Sequence, residues 1–144
     1  MFILHERLNN DTVFIGNLPL CMVLLMNNSM FPWVILVPRK HALVEIMDLE
    51  QIERSVLMEE ISLISKTMKQ VYWPDKINIA ALGNQVEQLH VHIIARFKTD
   101  DAWPEPVWGK GNKPYTETGL QETVEILRRE CKKIDGFVTI ANNP

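Results

Sequence analysis

The segment Trp33–Val37 (WVILV) is five consecutive apolar residues with Pro32 and Pro38 at its two ends. It is too short for a stable helix, and the flanking prolines stop any helix that began there. A β-branched run of this kind reads as a strand buried on both faces. Such a strand needs neighbours on each side and a covering layer above and below it. The rest of the chain therefore has to supply a sheet and its covers.

Two segments have the period of covering helices. From Leu49 the apolar positions run through Ile52, Val56, Leu57, Ile61, Ile64, Met68 and Val71, in steps of three and four. Asp48 with Gln51 resembles a capping box, and Pro74 forbids continuation, so the spacing predicts a helix from about Asp48 to Tyr72. The second run is Leu120, Val124, Leu127, Cys131 and Ile134, with Thr118 and Gln121 as the expected cap and Gly136 as the stop. Both helices are amphipathic.

Further strands are expected at Thr12–Asn17 and Leu20–Met26, joined through Leu18-Pro19 as a hairpin, and at Lys76–Leu82 and Gln88–Phe97. Five strands, one long helix between the third and fourth, and a helix near the end predict an α+β domain: a five-stranded antiparallel sheet with helices packed on it. Asp100–Pro114 holds three prolines, two glycines and two tryptophans in fifteen residues, so it is expected as a long ordered loop. No repeat or linker divides the chain, and one domain is expected over 1–144, with a core of about 4–108 and a C-terminal loop and helix over 109–144.

Composition narrows the function classes. At 144 residues and 47% hydrophobic, the chain can close a core and is unlike a disordered sequence. Fifteen Lys and Arg against 18 Asp and Glu leave a formal charge of −3, which gives no broad field for nucleic acid or an anionic membrane. The start, MFILHERLNND, lacks the basic region of a signal peptide, and no apolar run approaches a bilayer span. Cys21 and Cys131 lack ligand or disulfide spacing and fit apolar patterns. A cytoplasmic setting is the expectation.

Alternation along Gln88–Phe97 is the most informative pattern. Leu89, Val91, Ile93, Ala95 and Phe97 should face the helices, while Gln88, His90, His92, Ile94 and Arg96 face the other way. Two of the four histidines thus stand on one face, about 6.6–6.8 Å apart along the strand. A neutral imidazole is a competent nucleophile or base. An isolated His-x-His on an exposed strand is more often without function. It can also be half of a metal site, although His5, His41 and the cysteines offer no spacing that completes one.

The whole segment QLHVHII resembles the histidine triad (HIT) motif, His-x-His-x-His-x-x with apolar x, with Gln88 in place of the first histidine. Phe31–His41 (FPWVILVPRKH) resembles the family's apolar strand ending in Pro-basic-basic-His. The long helix follows where the family has one, and Gly83-Asn84-Gln85 stands at its phosphate-contacting turn. The resemblance runs from about Leu4 to Trp108.

The resemblance implies a nucleotide hydrolase or nucleotidyl transferase acting at the α-phosphate of a purine nucleotide, on phosphoanhydrides such as diadenosine polyphosphates or on phosphoramidates. It implies His90 as nucleophile, its tautomer fixed by the main-chain carbonyl of Gln88, and His92 as a donor to a non-bridging phosphate oxygen. Gln88 cannot carry charge near neutral pH, so leaving-group protonation and substrate choice are where this chain departs from the motif. If Gln88 limits turnover, Gln88→His should raise it. Asn84 and Gln85 are implied phosphate contacts, against the plain alternative of a hairpin turn. Asn27 stands where the family places a ribose-holding acid, with loop packing as its competitor. Trp103 and Trp108 are read as loop packing or base-stacking residues, Arg96 as a phosphate-steering or strand-ending residue, and His41 as a surface residue. No cofactor and no metal cage are called for, and a homodimer is implied. The alternative is a nucleotide-binding module with little turnover.

Overall fold

A computed structural model describes residues 1–140; the last four residues of the expected domain, 141–144, lie outside the described residues. The expected α+β architecture is found. Five strands, β1 (Thr12–Asn17), β2 (Cys21–Met26), β3 (Trp33–Pro38), β4 (Lys76–Ala80) and β5 (Val91–Arg96), form one antiparallel sheet in the order β1-β2-β3-β5-β4. Ahead of them lies a short helix, α1 (Glu6–Asp11), and the long helices are α2 (Gln51–Tyr72) and α3 (Glu117–Cys131). The six-residue α1 has one buried apolar residue, Leu8, too few to show a period in the sequence.

Alternation sorts the sheet into two faces. Val34 and Leu36 of β3 with Val91 and Ile93 of β5 pack on Leu57, Ile61, Ile64 and Met68 of α2 and on Leu127 of α3. Trp33, Ile35 and Val37 with Ile94 point to the opposite face. Loops cover that face: Phe31, Val86, Ala102 and Val107, with Phe2, Leu4 and Leu8 from the N-terminal segment. Both faces of β3 are buried, as its proline-bracketed apolar run requires.

Helix boundaries differ from the sequence reading. Asp48 ends a 3-10 turn, Ile46–Asp48, where it accepts from the Glu45 N–H at 2.9 Å. The helix proper is capped by Glu50, whose N–H is held by Glu53 at 3.4 Å. Leu49 continues the apolar spacing on extended backbone (ψ 147), so periodicity ran one turn past the true start. Likewise Thr116, not Thr118, caps α3, its Oγ1 accepting from the Gly119 N–H at 3.1 Å. The helix ends at Cys131, and Gly136 (φ +83) serves a later turn pressed against Pro19.

One buried carboxylate ties the layers together. Glu60 of α2 accepts from the N–H groups of Leu20 and Cys21, at 3.0 and 2.7 Å, and so fastens the turn of the β1–β2 hairpin to the helix. Burial pushes its carboxyl up, and those N–H bonds oppose the shift. Cys21 and Cys131 are buried free thiols, and burial pushes Cys131 up to about 12.

Candidate active site

β5 begins at Val91, later than the expected Gln88; Gln88 lies in a bend, and the Leu89 N–H donates to the Leu43 carbonyl at 2.9 Å instead of to a neighbouring strand. The expected facing nevertheless holds: His90 and His92 lie side by side, ring centroids 4.8 Å apart and 73° between planes. Both are buried, at 5% and 3% exposure. Burial is the main reason both rings resist protonation. It lowers His90, with His5 adding a smaller like-charge effect, and lowers His92 to about 4, with His90 as the second cause.

Hydrogen bonds assign the tautomers. His90 Nδ1 lies 2.7 Å from the Gln88 carbonyl oxygen, so Nδ1 carries the proton and Nε2 keeps its lone pair. On His92 the order is reversed. The Trp33 indole N–H donates to Nδ1 at 3.0 Å, and Nε2–H donates to the Leu82 carbonyl at 3.1 Å. Edges of Trp33 and Trp108 close on the His92 ring, with centroids 5.6 and 5.1 Å away.

The Gly83 turn passes directly beside this pair. A Cβ at Gly83 would stand 2.6 Å from the Val86 carbonyl oxygen and 3.3 Å from Cε1 of His90, so only glycine allows so close an approach. Asn84 and Gln85 are exposed on the same turn. Gln88 is engaged elsewhere: its Oε1 accepts from the His5 N–H and its Nε2 donates to the Ile3 carbonyl, both at 2.8 Å. The amide is therefore a latch on the N-terminal segment. His5 in turn caps α1, its Nδ1 accepting from the Arg7 N–H at 3.0 Å.

A cavity of about 470 Å³ opens next to the aromatic wall, bordered by Trp33 and Trp108, by Asn27 and Asn28, and by Arg7 and Asn10 of α1. Asn27 lines it while its Oδ1 accepts from the Tyr115 N–H at 3.0 Å. Asn27 thus packs the loop, the competitor to its expected ribose role, and also lines the cavity. Asn28 is buried and binds the backbone of Met30, Gly111 and Lys113. A larger cavity of about 1010 Å³ has Phe2, Leu4, Phe14, Met22 and Leu24 among its walls; neither cavity has a histidine in its lining, and the smaller one shares Trp33 and Trp108 with the surroundings of His92.

Arg96 neither steers phosphate nor ends the strand in solvent. It is 1% exposed, bidentate to Asp100 at 2.8 and 3.1 Å, and bonded to Asn78 Oδ1 and the Glu105 carbonyl. Its guanidinium also lies over the Trp103 ring. Burial raises Asp100, but the bonds from Arg96 and from the N–H groups of Phe97, Ala102 and Trp103 outweigh it and hold the carboxyl at about 2. This cluster folds the loop that presents Trp108, so Trp103 is a packing residue and Trp108 a site residue. His41 is exposed, with its Nδ1 3.2 Å from the Met1 carbonyl oxygen. Sequence reasoning missed Trp33, whose contact with His92 depends on strand register.

An open five-stranded antiparallel sheet with a buried imidazole pair beside a glycine turn defines a histidine triad protein. The chain matches the HIT domain over residues 7–99. It is 48% identical to a histidine triad protein from Bradyrhizobium japonicum, over 90% of this chain and 97% of that one, with a TM-score of 0.87. A histidine triad protein from Marinobacter aquaeolei is 46% identical over 92% and 98%, with a TM-score of 0.90. One from Sinorhizobium meliloti is 40% identical over 90% and 97%, with a TM-score of 0.87. No functionally curated protein matches the chain. The protein belongs to the HIT family. Membership supports, in general terms, a nucleotide-binding function of hydrolase or transferase type. Among the described residues no three His, Cys, Asp or Glu side chains converge to hold a metal ion, and no helix is long and apolar enough to cross a membrane.

Proposed function

We propose that the protein is a nucleotide hydrolase or nucleotidyl transferase that works at the α-phosphate of a purine nucleotide phosphoanhydride or phosphoramidate, with His90 as the nucleophile. The observation that carries this reading is the protonation pattern of His90: Nδ1–H is held by the Gln88 carbonyl, and Nε2 is an unprotonated lone pair in a ring kept neutral by burial. Such a nitrogen attacks phosphorus without first losing a proton. The Nε2–P bond forms, the bond to the leaving group breaks with its electron pair, and water then cleaves the nucleotidyl-histidine.

His92 supplies an N–H to a phosphate oxygen, and the Gly83–Gln85 turn supplies backbone and the amides of Asn84 and Gln85. The cavity bounded by Asn27, Trp33 and Trp108 takes the nucleoside, with Asn27 toward the ribose. Gln88 acts on His90 through its carbonyl. The edge strand β4 and the residues after it expose Ile79 and Leu82 (51% and 42%), which a second copy would cover in a homodimer. The two buried free thiols agree with a reducing, cytoplasmic setting. Neither nucleic acid nor membrane is a partner in this reading.

One observation favours the second reading, a nucleotide-binding module. The Gln88 amide is tied at both its oxygen and its nitrogen to the backbone of His5 and Ile3, which holds it on the N-terminal segment and away from a leaving group. Incubation with an adenosine phosphoramidate or a dinucleoside polyphosphate separates the two. AMP release that His90→Ala abolishes supports the enzyme. AMP release undiminished in His90→Ala rejects His90 as nucleophile, and AMP binding without turnover establishes the binding module.

A further inference from the structure

Trp33 and His92 form a diagonal pair across two neighbouring strands. The register sets Trp33 opposite Ile94 and Ile35 opposite His92, so both rings project from the same face of the sheet. Diagonal neighbours lie within reach when one of them is a large ring. Here the reach is used for a specific bond, since the indole N–H meets Nδ1 of His92 at 3.0 Å. Indole nitrogen only donates. Nδ1 must therefore be the unprotonated nitrogen, and the single proton of the neutral ring must sit on Nε2.

Where that proton points matters. Nε2 faces the Leu82 carbonyl at 3.1 Å, and Leu82 is followed by Gly83, whose backbone lies against the His90 ring. Trp108, edge-on to both Trp33 and His92, removes room for the imidazole to turn over. A flipped ring would set the Cδ2–H against the indole donor, and the other tautomer would set an N–H there; either leaves the donor unpaired in a buried site, at a cost no exposed site would impose.

We infer that Trp33 is the positioning residue of this site: its indole N–H locks His92 as the Nε2–H tautomer, with that one donor aimed at the Leu82–Gln85 turn where the nucleotide phosphate binds. Placing phosphate there rests on the functional reading given above; the lock itself does not. The phosphate oxygen then replaces or shares the Leu82 carbonyl as acceptor, and meets a neutral hydrogen-bond donor in place of an imidazolium. Trp33 touches neither phosphorus nor the attacking nitrogen; its ring borders the nucleoside cavity, a contact that phenylalanine keeps, and its effect on the chemical step runs through His92.

The test is nitrogen-15 NMR of the imidazoles, together with turnover. In the unmodified protein His92 should show a protonated Nε2 and an unprotonated Nδ1 that is scalar-coupled through the hydrogen bond to the Trp33 indole nitrogen. Trp33→Phe keeps an aromatic ring in the wall but deletes the donor. It should return His92 to a mixture of tautomers and lower kcat for AMP release about ten-fold, with KM changed less than about two-fold. An unmodified protein with His92 protonated on Nδ1, or without the coupling, overturns the inference even if the variant cannot be made. So does a folded Trp33→Phe protein with an unchanged His92 tautomer. Absence of AMP release from the unmodified protein sinks the functional reading alone, because the tautomer is read without substrate.

Discussion

The Gln88 carbonyl accepts a 2.7 Å hydrogen bond from Nδ1 of His90, while the amide of the same Gln88 is closed at both ends on the backbone of Ile3 and His5. Docking of the N-terminal segment and orientation of the nucleophile therefore meet in one residue. The substitution that departs from the triad motif serves as a structural join, which its place in the motif does not reveal.

Gln88→His should consequently fail to restore anything. The two nitrogens of an imidazole point away from each other and cannot bridge two adjacent backbone groups as a primary amide does. We expect turnover to fall and stability to drop by about 1 kcal/mol, seen in urea unfolding. An increase in turnover would show that the triad position, and not the latch, limits the reaction.

Asn27→Asp should tighten AMP binding. The carboxylate keeps an acceptor for the Tyr115 N–H and offers the ribose hydroxyls a charged partner in the cavity it lines. Charge-assisted bonds exceed neutral ones by about 1 kcal/mol, so calorimetry should show roughly a five-fold gain in affinity. Unchanged affinity would place the ribose away from Asn27.

Arg96→Leu should destabilise the fold by about 3 kcal/mol, since it strands the Asp100 carboxylate among groups built for an ion pair. The loss should spread to the site by loosening Trp103 and Trp108, and AMP affinity should fall with it. Chemical denaturation followed by tryptophan fluorescence reads the stability, and calorimetry with AMP reads the affinity. A variant as stable as the parent would mean that the cluster contributes no net stability.

Stability should fall on acidification between about pH 6.5 and about pH 4. His92 is held near 4 and His90 is also lowered, whereas unfolded histidines titrate at about 6.5, so the unfolded chain binds protons that the native chain refuses. His92→Gln should flatten this slope. The Asp100 contribution has the ordinary carboxylate sign, being intact above about pH 4 and lost as pH falls toward about 2. A parent protein of constant stability from pH 7 to 4.5 would contradict neutral, buried imidazoles.

Local rules carried much of this protein's organisation. Proline brackets and period-two alternation are properties of adjacent residues, so they placed β3 as a doubly buried strand and set His90 and His92 on one side of the segment that enters β5. The motif around Gln88 likewise needed only contiguous sequence. Tertiary structure decided what those residues touch. Trp33 meets His92 across 59 positions, Gln88 meets Ile3 across 85, and Arg96 turns inward because Asp100 and the Glu105 carbonyl fold back onto it. Partners of that kind follow from strand register and loop closure, which depend on the summed packing of the whole domain and leave no periodic trace in the chain.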